Sequence, residues 1–220
     1  TLAGPGTAKA VERTFWVRVP ADYDPSTAYR LVYIGGETGS DLPTDVYPMF
    51  NEAMGGTEKA IYVAITIDSR LDEVGYDEQS GAASYEWEAF QLLQTFVDNS
   101  YCVDNNRIFV SGYSSGGWVS NMFSCYFGGI PTPARKFLPT YAVRGRAATS
   151  GGLIPDNMPK CNGAVAALYL HDAGDTTNPI AGSKVGLDNT LMQNKCTGSQ
   201  TADWPGMPDV CKIYSDCPKE

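Results

Sequence analysis

The sequence predicts an α/β fold, a mostly parallel sheet with helices on both faces. Two observations carry that reading. The short strand-like runs are continuously apolar, as in strands buried on two faces, rather than alternating. They also take turns along the chain with stretches of helical period, the order that builds βαβ units.

Taken in order, residues 14–19 (Thr-Phe-Trp-Val-Arg-Val) read as a strand ended by Pro20 and the turn-rich Asp22-Tyr23-Asp24-Pro25-Ser26. Leu31-Val32-Tyr33-Ile34 is an apolar run stopped by Gly35-Gly36, and residues 60–65 (Ala-Ile-Tyr-Val-Ala-Ile) form another. From Ser84 the period changes: Trp87, Phe90, Leu93, Phe96 and Val97 recur at helical spacing. Glu86 and Glu88 sit in the first turn, where they favour the helix dipole. Arg107-Ile108-Phe109-Val110 reads as a strand, followed by a helix carrying Val119, Met122 and Phe123. Residues 146–149 and 164–170 are further strands, and a last helix covers about 180–195. No internal repeat or long linker interrupts this order, so residues 1–220 are expected to be one domain.

The totals exclude several function classes. A net charge of −9 leaves no basic stripe to neutralise phosphates, so nucleic acid is not an expected partner. The same charge disfavours an anionic lipid surface, and no apolar run approaches the ~18 residues that span a bilayer. A neutral substrate fits best. Thr1-Leu2-Ala3-Gly4-Pro5-Gly6 has neither a basic nor an apolar leader region and reads as a mature or trimmed start. Six cysteines at 102, 125, 161, 196, 211 and 217 contain no CxxC pair, and His171 is the one histidine, so no zinc spacing is present. Their even number and wide spacing read as disulfides in an oxidising, secreted setting, with free buried thiols as the alternative. No metal or cofactor is expected.

Gly112-Tyr113-Ser114-Ser115-Gly116 matches G-x-S-x-G, and its setting between strand 107–110 and a helix is the one that motif requires. There a tight turn lifts the Ser114 hydroxyl out of the sheet, and the Ser115 backbone N–H at the helix start can face an oxyanion. A glycine-rich turn without chemistry is the plain alternative. The loop Gly35-Gly36-Glu37-Thr38-Gly39 is the early glycine-rich loop from which a second donor, the amide of Glu37 or Thr38, can come. Nucleophiles of this kind are followed in the chain by an acid and then a histidine. In Leu170-His171-Asp172-Ala173-Gly174-Asp175, Asp175 is the expected acid because it lies deeper in the loop, with Asp172 as the alternative. No histidine follows it; His171 itself reads as a brace of the acid loop rather than the base.

Three stretches resemble secreted feruloyl esterases and the related poly(3-hydroxybutyrate) depolymerases. They are Tyr23-Asp24-Pro25-Ser26 with Tyr29-Arg30-Leu31-Val32; Tyr101-Cys102-Val103-Asp104 with Arg107-Ile108-Phe109, Gly112-x-Ser114-x-Gly116-Gly117 and Cys125; and His171-x-x-x-Asp175-x-x-x-Pro179. The resemblance runs from about residue 12 onward and implies the α/β-hydrolase fold. It implies Ser114 as nucleophile, Asp175 as acid, oxyanion donors at Ser115 and within 36–38, and a Cys102–Cys125 disulfide. The chain departs from the pattern at Gly35-Gly36 and at His171-Asp172, where His-Gly is usual. The C-terminal strand and histidine loop of the family are expected to be missing from it and to lie in a C-terminal fragment or a second chain.

The implied activity is hydrolysis of feruloyl or acetyl esters on plant polysaccharide or oligosaccharide, outside the cell. Polyhydroxyalkanoate depolymerisation is one alternative, and a non-catalytic glycan-binding or inactive hydrolase fold is another. Trp87, Trp118 and Trp204 fit either a sugar- or aryl-packing surface or the core.

Overall fold

Continuous apolar runs need cover on both sides, and they assemble into one sheet. The computed structural model describes residues 14–37, 59–66, 85–129, 142–152, 161–197, 201–204 and 207–218. In chain order these form β1 (Phe15–Arg18), β2 (Tyr29–Gly35), β3 (Ala60–Ile65), α1 (Tyr85–Ser100), β4 (Val103–Tyr113), α2 (Ser115–Phe127), β5 (Val143–Thr149), β6 (Ala166–Leu170), α3 (Ile180–Gln193), β7 (Thr201–Trp204) and β8 (Met207–Tyr214). Strands β1 to β6 form a sheet in the order β1-β3-β2-β4-β5-β6. All its neighbours are parallel except β1, which runs antiparallel to β3. The mostly parallel sheet expected from the sequence is therefore present.

One face carries the main core. Leu31, Tyr33, Ile61, Val63, Ile108, Val110 and Val143 meet Phe90, Leu93 and Val97 of α1 and Val119, Met122, Phe123 and Phe127 of α2. Phe90 is its centre, with ring centroids 4.1 Å from Phe123, 4.8 Å from Phe127 and 4.8 Å from Tyr33. The Tyr33 hydroxyl stays satisfied by donating to Gln94 Oε1 at 2.9 Å. On the opposite face Ile34 and Ala64 pack with Trp16, Val32 and Tyr62. Helix α3 joins α2 on the first face, where Gln193 Nε2 donates to Ser124 O at 3.3 Å.

Arg146, only 5% exposed, sits between these helices. Its guanidinium donates to Ser124 Oγ at 2.6 Å, to Asn121 O at 3.3 Å, and to the Tyr169 and Thr190 hydroxyls, and it lies 5.0 Å over the Tyr169 ring. Burial pulls its pKa below the ordinary value, and Tyr169 opposes the shift.

The cysteine pairing departs from expectation. Cys125 bonds Cys161, with Cα atoms 4.4 Å apart, and Cys196 bonds Cys217; Cys102 is a free thiol. The expected Cys102–Cys125 bridge is thus replaced. The reason is the approach of the segment entering β6: Asn162 N–H donates to Cys125 O at 2.9 Å and the Asn162 side chain to Tyr126 O, which lays Cys161 on the buried Cys125. Cys102 is held elsewhere, its N–H donating to the Tyr23 hydroxyl at 2.9 Å and its carbonyl accepting Tyr29 N–H at 3.0 Å.

The Cys125–Cys161 bond closes a separation of 36 residues. Cys161→Ser should therefore lower stability by about 4 kcal/mol through loop-closure entropy alone. Cys102→Ser should change it by less than about 1 kcal/mol. Denaturant melts of the two variants check the pairing directly.

Candidate active site

Strand β4 runs straight into helix α2, and Ser114 is the single residue between them. Its backbone is bent to φ 52 and ψ −119. For a residue with a Cβ such a conformation costs about 1–3 kcal/mol and persists only where the surroundings impose it. They do so here. Ser114 N–H donates to Thr149 O at 2.9 Å, and Ser114 O accepts the N–H groups of Gly117 at 2.9 Å and Trp118 at 3.2 Å. Gly112 and Gly116 make the turn possible by close approach. A Cβ on Gly112 would fall within 3.0 Å of the Gly116 backbone, and one on Gly116 within 3.0 Å of the Gly35 backbone. The Ser114 side chain makes no capping bond to its own helix. Its hydroxyl is thus not used to cap the helix, and the residue is half-buried.

Parallel register brings the neighbouring strand ends alongside. Tyr113 pairs with Thr149 and Thr149 with Leu170, so the next residues along, Ser114, Ser150 and His171, share the carboxyl edge of the sheet. Ser150 (φ 48) ties two of these ends together, its N–H donating to Leu170 O at 2.9 Å. Gly151 packs on the other side, where an added Cβ would lie 2.7 Å from Trp118 Cδ1.

The acid loop follows β6. Asp175 Oδ1 accepts N–H groups from Asn178 at 2.8 Å and Thr177 at 2.9 Å. Its carboxyl is held below the usual range, first by the Asn178 N–H, then by Thr177, His171 and the Ser150 hydroxyl, against a partial burial that raises it. Asp172 is exposed, and its carboxylate accepts the Gly174 N–H at 2.8 Å, a local turn. Asp175 is the better held of the two and is the one linked back to the strand ends.

A lowered folded-state pKa stabilises the fold when the group is ionised. Asp175 should therefore contribute its full share above about pH 5 and lose it as pH falls. Asp175→Asn is expected to be less stable than wild type at neutral pH, by an amount that closes as pH drops through and below 3.8. Urea melts from pH 7 to pH 2.5, run on both proteins, measure that convergence (roughly the acid-titration window).

His171 is engaged between this loop and α3. Its side chain is 5% exposed and its Nε2 lies 3.6 Å from Asp175 Oδ2. Nε2 donates to Asn178 O at 2.5 Å, and Nδ1 pairs with Ser183 Oγ at 2.6 Å. No hydrogen bond joins it to Ser114 among the described residues. It braces the loop, as the sequence suggests.

On the oxyanion side, Ser115 is the first residue of α2, whose first turn holds no acidic side chain to neutralise the helix's positive end. The Gly116–Gly35 approach sets the end of β2 against this helix start. Glu37 lies two residues farther on and is exposed; Thr38 is outside the described residues. Of the tryptophans, Trp118 is half-buried, and the side chains of Trp87 and Trp204 lie outside the described residues. Sequence reasoning missed Ser150 and Ser183. The first had a signal, Ser150-Gly151-Gly152 directly after a predicted strand; the second, a serine inside a helix, had none.

No protein-family model matches the chain. It is 26% identical over 199 residues to the probable feruloyl esterase C of Aspergillus terreus and 28% identical over 200 residues to feruloyl esterase C of Emericella nidulans. Both alignments cover 87% of this chain and 64% of the relative, so the chain spans just under two thirds of their length. Among solved structures, a thermostable esterase superposes with a TM-score of 0.57 at 17% identity, over 84% of this chain and 49% of that one. Esterase PE8 does so with a TM-score of 0.57 at 14% identity, over 83% of this chain and 85% of that one. The architecture is the α/β-hydrolase fold.

Proposed function

We propose that this α/β-hydrolase chain, related in sequence to fungal feruloyl esterases, is the nucleophile- and acid-bearing part of a secreted serine carboxylic-ester hydrolase. One observation carries the reading: Ser114 is bent to φ 52 between β4 and α2 with its hydroxyl not used to cap the helix. Strain at a half-exposed serine serves no packing purpose and points to chemistry.

In this reading Ser114 Oγ attacks the ester carbonyl carbon while its proton passes to a base. The Ser115 N–H and an amide of residues 36–38 hold the developing oxyanion. The C–O bond to the alcohol breaks, the base returns the proton to the leaving oxygen, and water then releases the acyl group by the same steps in reverse. Asp175 orients the base and stabilises its cation. No metal or cofactor is required.

The base comes from outside these 220 residues. The sequence holds one histidine, and its ring nitrogens are committed to the Asn178 carbonyl of the acid loop and to Ser183 on α3. Strand β6 supports an addition beside it: among the described strands it is an edge of the sheet, and Leu168 and Leu170 on it are 40% and 43% exposed. Residues 1–220 are accordingly read as one domain completed by a further segment of a longer polypeptide.

The names of the relatives support a feruloyl ester as substrate, and we place that ester on plant polysaccharide. Two disulfides support an extracellular setting. The test is ferulate and acetate release from feruloylated and acetylated oligosaccharides by the longer polypeptide. Release of ferulate bears the reading out; release of neither acid overturns it.

A further inference from the structure

We propose that His171 is a positioning residue for Asp175, acting through the Asn178 backbone, with Ser183 fixing which ring nitrogen carries the proton. The inference rests on the assignment of Asp175 as the acid and adds what holds that acid in place.

The Asn178 backbone is gripped at both polar ends. Its carbonyl accepts from His171 Nε2 at 2.5 Å, and its N–H donates to Asp175 Oδ1 at 2.8 Å. A carbonyl can only accept, so the proton on this side of the ring belongs to Nε2. The other nitrogen then accepts from the Ser183 hydroxyl, 2.6 Å away. Ser183 is 6% exposed and cannot swing aside, because Gly152 is packed so closely that a Cβ there would meet Ser183 Cα within 3.0 Å.

The chain of contacts therefore runs from the turn after β5, through Ser183 on α3, to His171, Asn178 and Asp175. Each link is a buried or half-buried hydrogen bond or a packing contact. The imidazole reaches the carbonyl of Asn178 from the end of β6 and leaves the second Asp175 oxygen beyond hydrogen-bond range. That oxygen, Oδ2, is 3.6 Å from Nε2, too far for a hydrogen bond.

The experiment is amide hydrogen exchange at Asn178, with the carboxyl titration of Asp175 followed by carbon NMR, on the 220-residue chain. His171→Leu removes the grip on the carbonyl and is expected to cut Asn178 protection about tenfold, the worth of one such bond, and to raise the Asp175 midpoint. His171→Gln places an amide N–H where Nε2 stood and should restore most of the protection. A residue that merely fills space would give the reverse order, with Leu the better replacement. Ser183→Ala leaves the ring unfixed and should lower Asn178 protection about threefold.

Unchanged Asn178 exchange in folded His171→Leu overturns the proposal. Should that variant fail to fold, unchanged exchange in Ser183→Ala overturns it instead. The acid assignment is tested apart from this, since full esterase turnover by Asp175→Asn in the longer polypeptide would remove it while leaving the exchange result untouched.

Discussion

Ser114→Ala is expected to lower ester turnover by about 10⁴- to 10⁶-fold in the polypeptide that supplies the base. A hydrolase stripped of its nucleophile keeps its oxyanion donors and binding surface, which alone give about 10³- to 10⁴-fold over water. What it loses is the covalent step. Ser115→Ala provides the contrast. The expected role of Ser115 uses only its backbone N–H, at the start of α2, and alanine keeps that group. This variant should stay within about tenfold of wild type. Steady-state hydrolysis of a soluble aryl ester by both variants measures the separation. Equal losses would mean that the position, rather than the hydroxyl, matters.

Gly116→Ala should be the most damaging single methyl in the elbow. The added Cβ would land within 3.0 Å of the Gly35 carbonyl carbon, oxygen and Cα, all backbone atoms of β2. Nothing there is the end of a flexible side chain. Helix α2 would have to lift off the sheet, taking with it Val119, Met122 and Phe123, which are buried in the main core. We expect a loss of about 3 kcal/mol or more, at or beyond the upper range of overpacking. Gly174→Ala is the matched control. Its Cβ would meet nothing closer than Asp172 Oδ1 at 3.4 Å, in an exposed loop. It should stay within about 0.5 kcal/mol of wild type. Thermal melts and circular dichroism report both outcomes.

Much of the scaffold is legible in the sequence because burial on two faces writes itself as unbroken apolar runs. Residues 31–34 and 60–65 fall within β2 and β3, and Phe90, Leu93 and Val97 do line the buried side of α1. The elbow was legible for a different reason: a strand, a glycine-flanked serine and a helix in direct succession leave the chain one way to turn.

The start of β4 was not legible. Val103-Asp104-Asn105-Asn106 is too polar to read as strand, and it pairs only loosely, with a register shift between Tyr29 and Leu31. The hairpin of β7 and β8 is not legible either, since its strands carry Asp203, Pro208 and Asp209; it lies inside the loop closed by the Cys196–Cys217 bond. Disulfide partners are set by which distant segment docks on a helix, and no spacing along α2 announces that Asn162 will bond the backbone at Cys125. Ser183 is invisible for the same reason. Its role depends on an imidazole 12 residues earlier in sequence and on a glycine from another strand's turn.

Covalent labelling with a fluorophosphonate, followed by peptide mapping, tests the central claim most directly. In the polypeptide carrying the base, the adduct should fall on Ser114, within the tryptic peptide 108–135. It should be absent from Ser114→Ala and form far more slowly in the 220-residue chain alone. An adduct on another residue, or none on the base-carrying polypeptide, would contradict the assignment of Ser114 as the nucleophile.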